Sequence, residues 1–268
     1  MYDLCLIQII PVNGQRPKKS LGQHYLRDEN IARKIINSLL ADGTNQIIEI
    51  GPGHGVLTKY LFAKIGYSVL AIEIDHNNVE FLRTEFPGRE DQIINYDFLK
   101  YDMSGFDSPV ALIGNFPYNI SSQIFFRILE NRNRISEVVC MVQKEVADRL
   151  SAGPGTKTYG ILSVLLQAYY NIEYLFKVTP KVFFPQPRVY SAVIRLTRNS
   201  VSKLECDEIL FFSIVKACFN QRRKTIKNSI RKITIEKLPQ NDIILKRPEQ
   251  LNVEQFVELT QIIQRLSV

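Results

Sequence analysis

The sequence predicts a doubly wound α/β sheet with helices on both faces, followed by a small, all-helical C-terminal unit. Three observations predict it. Between about residues 28 and 178, short β-branched runs alternate with stretches of helical period, the texture of repeated β-α units. The runs are apolar almost throughout, as expected of parallel strands covered on both faces. After Leu196 strand-like runs give way to helical ones, which places a boundary near Asn199 and divides the chain into 1–198 and 199–268.

The opening stretch, residues 1–15, reads as a flexible tail. It begins apolar, but it lacks the basic region and small-residue cleavage site of a signal peptide. Ile31, Ile35 and Leu39 then share a helical face behind Asp28, a residue type suited to capping. The strand runs are Ile47–Ile50, Val69–Ile72, Ile93–Ile94, Val110–Ile113 and Val138–Val142, and helical period recurs over Asn78–Phe86 and Ser121–Leu129. Beyond the boundary, Asp207–Phe219 and Val253–Leu266 read as helices, the second with Phe256, Leu259, Ile263 and Leu266 on one face.

With 268 residues, 45% of them apolar and 23% charged, the chain can bury a sizeable core, which excludes disordered and low-complexity classes. The net charge is +7, and residues 216–247 alone hold ten basic and two acidic residues. One segment therefore carries the whole imbalance, a candidate for a polyanionic partner. The four cysteines have no CxxC pair and the three histidines no ligand spacing, so no disulfide framework and no metal site are expected, and the compartment read from them is the cytoplasm. No run approaches the ~18 apolar residues of a membrane span.

In sheets of this kind ligands sit at the carboxyl ends of the strands, so the residues just after each run are the informative ones. After the first comes Glu49-Ile-Gly51-Pro-Gly53-His-Gly55, where alternating glycines allow a sharp turn and close approach of backbone to a ligand. Val56 stands where a dinucleotide fingerprint needs its third glycine, and the loop fits instead the acidic-x-G-x-G-x-G pattern of S-adenosylmethionine (AdoMet) enzymes. Glu73, 18 residues beyond Gly55, follows the second run and is suited to accept ribose hydroxyls. Asp97 follows the third and is placed for an adenine amino group.

Gly114-Asn115-Phe116-Pro117-Tyr118-Asn119-Ile120-Ser121 follows the fourth run. An exocyclic adenine nitrogen is a poor nucleophile because its lone pair is delocalised into the ring. Two acceptors aimed at its N–H groups, the Asn115 side-chain oxygen and the Phe116 carbonyl, would favour a pyramidal nitrogen, and such contacts strengthen toward the transition state. Tyr118 offers a ring for the base, a stack worth ~1–3 kcal/mol. In the basic segment, helical periodicity groups Arg223 and Lys224 with Lys227 and Arg231, beside Arg222 and Lys232, into a stripe able to track phosphates.

Asn-x-Pro-Tyr marks amino-group methyltransferases acting on nucleic acid. With EIGPGHG upstream, the string NFPYNIS resembles the rRNA adenine N6-methyltransferase family. Lys18 to Leu26, Gln143 to Arg149, Gly155 to Gly160 and Pro180 to Leu196 also match its motifs, so the resemblance runs from about Arg16 to Leu266. GTKTYGILSV, Phe219 to Ile226 and Arg247 to Leu251 resemble the branch acting on small-subunit (16S) rRNA. The resemblance implies a Rossmann-like, AdoMet-dependent catalytic domain and a basic RNA-binding C-terminal domain. It also implies a monomer that dimethylates two adjacent adenosines of the 3′-terminal hairpin within a pre-ribosomal small subunit, with no metal. By the same match His24 and Leu26 would touch AdoMet, Gly51 its methionine end, Glu73 its ribose and Asp97 its adenine end. Phe183 would close over the target adenine opposite Tyr118. Two other readings stay open: an assembly factor that holds immature small subunits, and a large-subunit rRNA methyltransferase. A DNA adenine methyltransferase is disfavoured, since such enzymes usually carry Pro where Phe116 stands. His54 and His76 are expected at the surface near the loop, not as bases.

Overall fold

The structure, a computed structural model, describes residues 17–106, 108–231 and 241–266. A two-residue strand, β1 (Tyr25–Leu26), leads into α1 (Glu29–Asn37). The expected cap is present: the Asp28 carboxylate accepts from the backbone N–H groups of Asn30 and Ile31 at 2.9 and 3.0 Å. There follow β2 (Gln46–Ile50), α2 (Thr58–Phe62), β3 (Ser68–Glu73), α3 (His76–Glu85), β4 (Ile93–Asn95), β5 (Val110–Asn115), α4 (Ser121–Glu130) and β6 (Ile135–Gln143). Next come α5 (Lys144–Leu150), α6 (Ile161–Gln167), β7 (Tyr170–Val178), β8 (Phe183–Phe184) and β9 (Ser191–Arg198), then α7 (Glu208–Asn220), α8 (Ile226–Ser229), α9 (Asp242–Leu245) and α10 (Val253–Leu266).

Seven strands form one sheet in the order β4-β3-β2-β5-β6-β9-β7. The five strands read from the sequence run parallel, in register from Glu73↔Asn95 to Asn115↔Met141. The other two were not read as strands. β9 pairs antiparallel with β6 on one side and β7 on the other. Because β9 runs backwards, its first residue, Ser191, lies at the carboxyl end of the parallel strands, opposite both Gln143 and Val178.

Each central strand is buried on both faces, and alternate residues enter different layers. Ile47, Ala111, Ile113, Val139 and Met141 pack against Ala32, Ile35 and Ile36 of α1. Ile48, Leu112, Val138 and Cys140 face α4, α6 and the C-terminal helices, and this cluster continues without a break to Phe211, Ile214, Phe256 and Leu259. The polypeptide thus passes the position near Asn199 without a break in the core. Tyr169 and Arg132 both bond Glu208 of α7, at 2.8 and 2.6 Å, and fasten the helices to the sheet.

Candidate active site

Gly51 and Gly53, just past β2, have φ of +65° and +56°, where an L side chain is strained. At Gly53 space is decisive as well, because a Cβ would stand 2.8 Å from the Tyr25 ring. Gly51 N–H donates to Ile72 O at 2.9 Å and so extends the β2–β3 ladder into the loop. Gly53 N–H donates to Glu73 Oε2 at 3.0 Å, Asn78 Nδ2 to the same oxygen at 3.3 Å, and Asp75 N–H to Glu73 Oε1 at 2.9 Å. Glu73 is buried, and burial raises its carboxyl above the usual range against the pull of these donors. A carboxylate has about four lone-pair positions, so the one left, on Oε1, suits a single ribose hydroxyl. Glu49 is also buried, its Oε2 lacks a partner among the described residues, and burial pushes its carboxyl up to about 8.

The turn after β5 holds Gly114 to Tyr118. A Cβ at Gly114 would lie 2.5 Å from Ile50 O, so glycine is required where β5 passes the glycine loop. Asn115 Nδ2 donates to the His24 carbonyl at 2.8 Å, which fixes the amide, and its Oδ1 is buried with no hydrogen-bond partner among the described residues. The Phe116 ring is fully buried against Phe125, while its N–H donates to Met141 O at 3.0 Å. The Tyr118 hydroxyl bonds Ser191 Oγ, and burial holds that phenol above its ordinary pKa. The His24 ring lies 5.3 Å from the Tyr118 ring, tilted by 31°.

Over these elements runs a strap, residues 18–26, whose anchoring was not legible in the sequence. Lys18 Nζ and Gln23 Nε2 donate to the two oxygens of buried Asp75 at 2.7 and 2.9 Å. Burial would raise the Asp75 carboxyl, but these donors and Asn77 N–H outweigh it and hold it below the usual range. Asn119 Nδ2 donates to Ser20 O at 3.3 Å, His24 Nδ1 meets Pro185 O at 2.7 Å, and Tyr25 stacks on His54 at 3.9 Å. His54 is therefore half-buried beneath the strap rather than at the surface, with burial and Arg27 lowering its pKa; His76 is exposed.

The result is a cavity of about 930 Å³, open mouth included, whose wall takes in His24, Leu26, Gly51, Gly53, Glu73, Asp97, Asn115, Phe116 and Tyr118. Asp97 caps a short turn, accepting Leu99 N–H at 3.0 Å. The glycine cradle, the partly filled Glu73 carboxylate and the orphaned Asn115 oxygen fit a nucleoside cofactor at one end and an amine at the other. Among the described residues no three His, Cys, Asp or Glu side chains are grouped to hold a metal, and no helix is long and apolar enough to cross a membrane.

The profile of one family, Ribosomal RNA adenine dimethylase, matches residues 14–266. The chain belongs to the ribosomal RNA adenine dimethylase family. It is accordingly an rRNA adenine methyltransferase, and that chemistry implies AdoMet as its methyl donor. A Parabacteroides distasonis relative, ribosomal RNA small subunit methyltransferase A, is 51% identical over 253 residues, 93% of this chain and 95% of that protein. A protein of the same name from Bacteroides thetaiotaomicron is 52% identical over 249 residues, 91% and 93% of the two chains. Among solved structures, a dimethyladenosine transferase from Plasmodium falciparum shares the fold, with a TM-score of 0.76 at 22% identity over 91% of this chain and 98% of that one. The 23S rRNA methyltransferase ErmE aligns with a TM-score of 0.67 at 26% identity, over 88% and 99%.

Two further expectations for this dimethylase are corrected by the structure. Phe183 does not line the cavity: it is 4% exposed and packs with Leu26, Val178 and Val193. The β1–β8 pairing sets it opposite Leu26, behind the wall, while half-exposed Phe184 lies under the Arg27 guanidinium at 4.2 Å. The basic stripe is not one helical face either. Helix α7 ends at Asn220, Arg222, Arg223 and Lys224 lie in a turn, and only Ile226–Ser229 is helical. Burying Ile226 and Ile230, with Ile226 N–H bonded to Lys246 O at 2.8 Å, wins over helical continuity. Arg223, Lys224, Lys227 and Arg231 are nevertheless exposed, while Arg222 is drawn to Glu249 at 3.8 Å and Thr156 O at 3.2 Å. Lys232 and residues 1–15 lie outside the described residues.

Proposed function

We propose that this chain dimethylates N6 of two adjacent adenosines in the 3′-terminal hairpin of small-subunit rRNA, acting on a pre-ribosomal particle. The observation that carries the chemistry is the Asn115 amide, anchored through Nδ2 and presenting a buried, unpartnered Oδ1 to the cavity. The names of the relatives at 51 and 52% identity support the small subunit as substrate.

When bound, AdoMet supplies an electrophilic methyl group at its sulfonium. Gly51 and Gly53 let the loop backbone approach it, Glu73 takes a ribose hydroxyl, and Asp97 serves the adenine end. The target adenosine leaves its stack and lies on the Tyr118 ring, with Asn115 Oδ1 and Phe116 O accepting its two N–H groups in the first transfer and sharing the one N–H that remains for the second, which uses a second AdoMet. Those acceptors strengthen as the nitrogen becomes pyramidal, so they lower the barrier rather than merely bind substrate. No side chain is required as base, since the proton of the methylated amine passes to solvent. The exposed cations Arg223, Lys224, Lys227 and Arg231, with Arg222 at their base, serve the rRNA phosphates.

The test is methyl transfer from labelled AdoMet to small subunits from cells lacking the protein, with large subunits and duplex DNA alongside. Dimethyladenosine in small-subunit rRNA alone is the expected result. Label on large-subunit rRNA overturns the substrate, and tight small-subunit binding without any label makes an assembly factor the better reading.

A further inference from the structure

The charge sum conceals a second surface. β9 begins at the carboxyl edge of the sheet, where Ser191, bonded to the Tyr118 hydroxyl, pairs with Val178 and the next pair is Ala192 with Lys177. Tyr190 immediately precedes Ser191, and its carbonyl accepts Lys144 N–H at 2.9 Å, which fixes the backbone there. The residue is 45% exposed, and Lys177 Nζ lies 3.5 Å from the ring centroid on one face. Exposed Lys177, Lys181 and Arg188 have no ion-pair partner among the described residues, whereas the acids nearby, Asp148 and Glu173, are matched by Lys144 and Arg195. The edge is thus net positive and carries an exposed aromatic.

Exposed rings interleaved with free cations are the physical signature of a single-stranded nucleic-acid track, rings for bases and cations for phosphates. We propose that Tyr190 is a second base platform, which receives a nucleotide flanking the target adenosine while Lys177, Lys181 and Arg188 hold the adjoining phosphates. The proposal rests on the reading of Tyr118 as the platform for the target base. An adenosine drawn out of its hairpin leaves its neighbour unstacked as well, and Tyr190 offers that neighbour a ring polarised by Lys177.

The experiment measures binding of unmethylated small subunits and of AdoMet by wild type, Tyr190→Ala, Tyr190→Phe and a Lys177→Gln/Lys181→Gln/Arg188→Gln variant, with binding and methyl transfer by Tyr118→Ala as reference. Tyr190→Ala is expected to weaken subunit binding about tenfold, the worth of one base stack, with AdoMet affinity unchanged and affinity restored in Tyr190→Phe. The triple variant is expected to lower the salt slope of binding by about 2, at ~0.7 per single-strand phosphate. Subunit affinity of Tyr190→Ala within twofold of wild type, or an unchanged salt slope, overturns the platform while leaving the Tyr118 reading intact. Full methyl transfer by Tyr118→Ala overturns that reading, and the platform with it.

Discussion

Among the described residues, the Tyr118 hydroxyl has one hydrogen bond, to Ser191. Ser191 is fully buried and paired on both sides, so its hydroxyl cannot follow a ring that moves. Ser191→Ala deletes that tie and leaves a phenol, in a setting dry enough to raise its pKa, without its partner. A net hydrogen bond is worth ~0.5–1.5 kcal/mol and an orphaned buried partner costs ~1–3 kcal/mol. Tyr118 is only half-buried, so about 1–2 kcal/mol is expected, a factor of about 5–30. The loss belongs in the methyl-transfer step, because the ring, not the cofactor loop, is set loose. Single-turnover transfer at saturating AdoMet would be compared for wild type, Ser191→Ala, Tyr118→Phe and the double variant. Tyr118→Phe keeps the ring and loses the same bond, so each single variant is expected to slow transfer by that factor and the double variant no further. Additive losses, or a fall in AdoMet affinity matching the fall in rate, would refute the coupling.

Gly53→Ala brings a methyl to 2.8 Å from the Tyr25 ring at a φ of +56°, whereas at Gly51 the nearest atom is 4.0 Å away; calorimetry should show Gly53→Ala losing AdoMet affinity by tenfold or more and Gly51→Ala losing less. Glu49 has a folded pKa of about 8 against an ordinary 4.5, so between those values the folded state holds a proton that the unfolded chain has released. The Glu49 contribution to stability in the ligand-free protein therefore falls as pH rises from 4.5 to 8 and levels off above; melting curves across that range should show this component of the slope absent in Glu49→Gln. Arg223→Glu with Lys224→Glu, both exposed, should weaken small-subunit binding more than Arg222→Ala does, because Arg222 is already engaged by Glu249 and Thr156; filter binding across a salt series checks the order.

The parallel half of the sheet was legible because burial on both faces makes β2 to β6 continuous apolar runs. The site residues that end those strands, Gly51, Glu73, Asp97 and Asn115, all reach the cavity for the same reason: topology brings carboxyl ends to one edge. β7 was not legible, since as the edge strand it mixes Asn171, Glu173, Tyr174 and Lys177 with its apolar residues. Nor was the role of β9, whose reversal moves Ser191 and Tyr190 to the active edge and is a fact of strand order rather than of composition. The strap is the strongest case. Lys18 and Asp75 are 57 residues apart, and no local periodicity reports a contact of that range. Phe183 shows the converse: its motif matches the family, yet its pairing opposite Leu26 sets it in the core.

The strap explains why Asn115 can keep an unpaired oxygen in a buried place. Such an acceptor costs ~1–3 kcal/mol, and a free amide would rotate to relieve it. Here rotation would place the oxygen against the His24 carbonyl, acceptor facing acceptor, so the Nδ2 bond selects the strained orientation. His24 is in turn held through its neighbours, by the Gln23–Asp75 bond and the Tyr25–His54 stack over the glycine loop, and through its own ring, whose Nδ1 meets Pro185 O. One short segment thus roofs the cofactor end and orients the acceptor for the amine. In the proposed mechanism that shared anchoring sets the acceptor for the amine relative to the cofactor cradle. That is the condition for a positional rate advantage, which depends on the relative placement of reacting atoms and not on the rigidity of the whole.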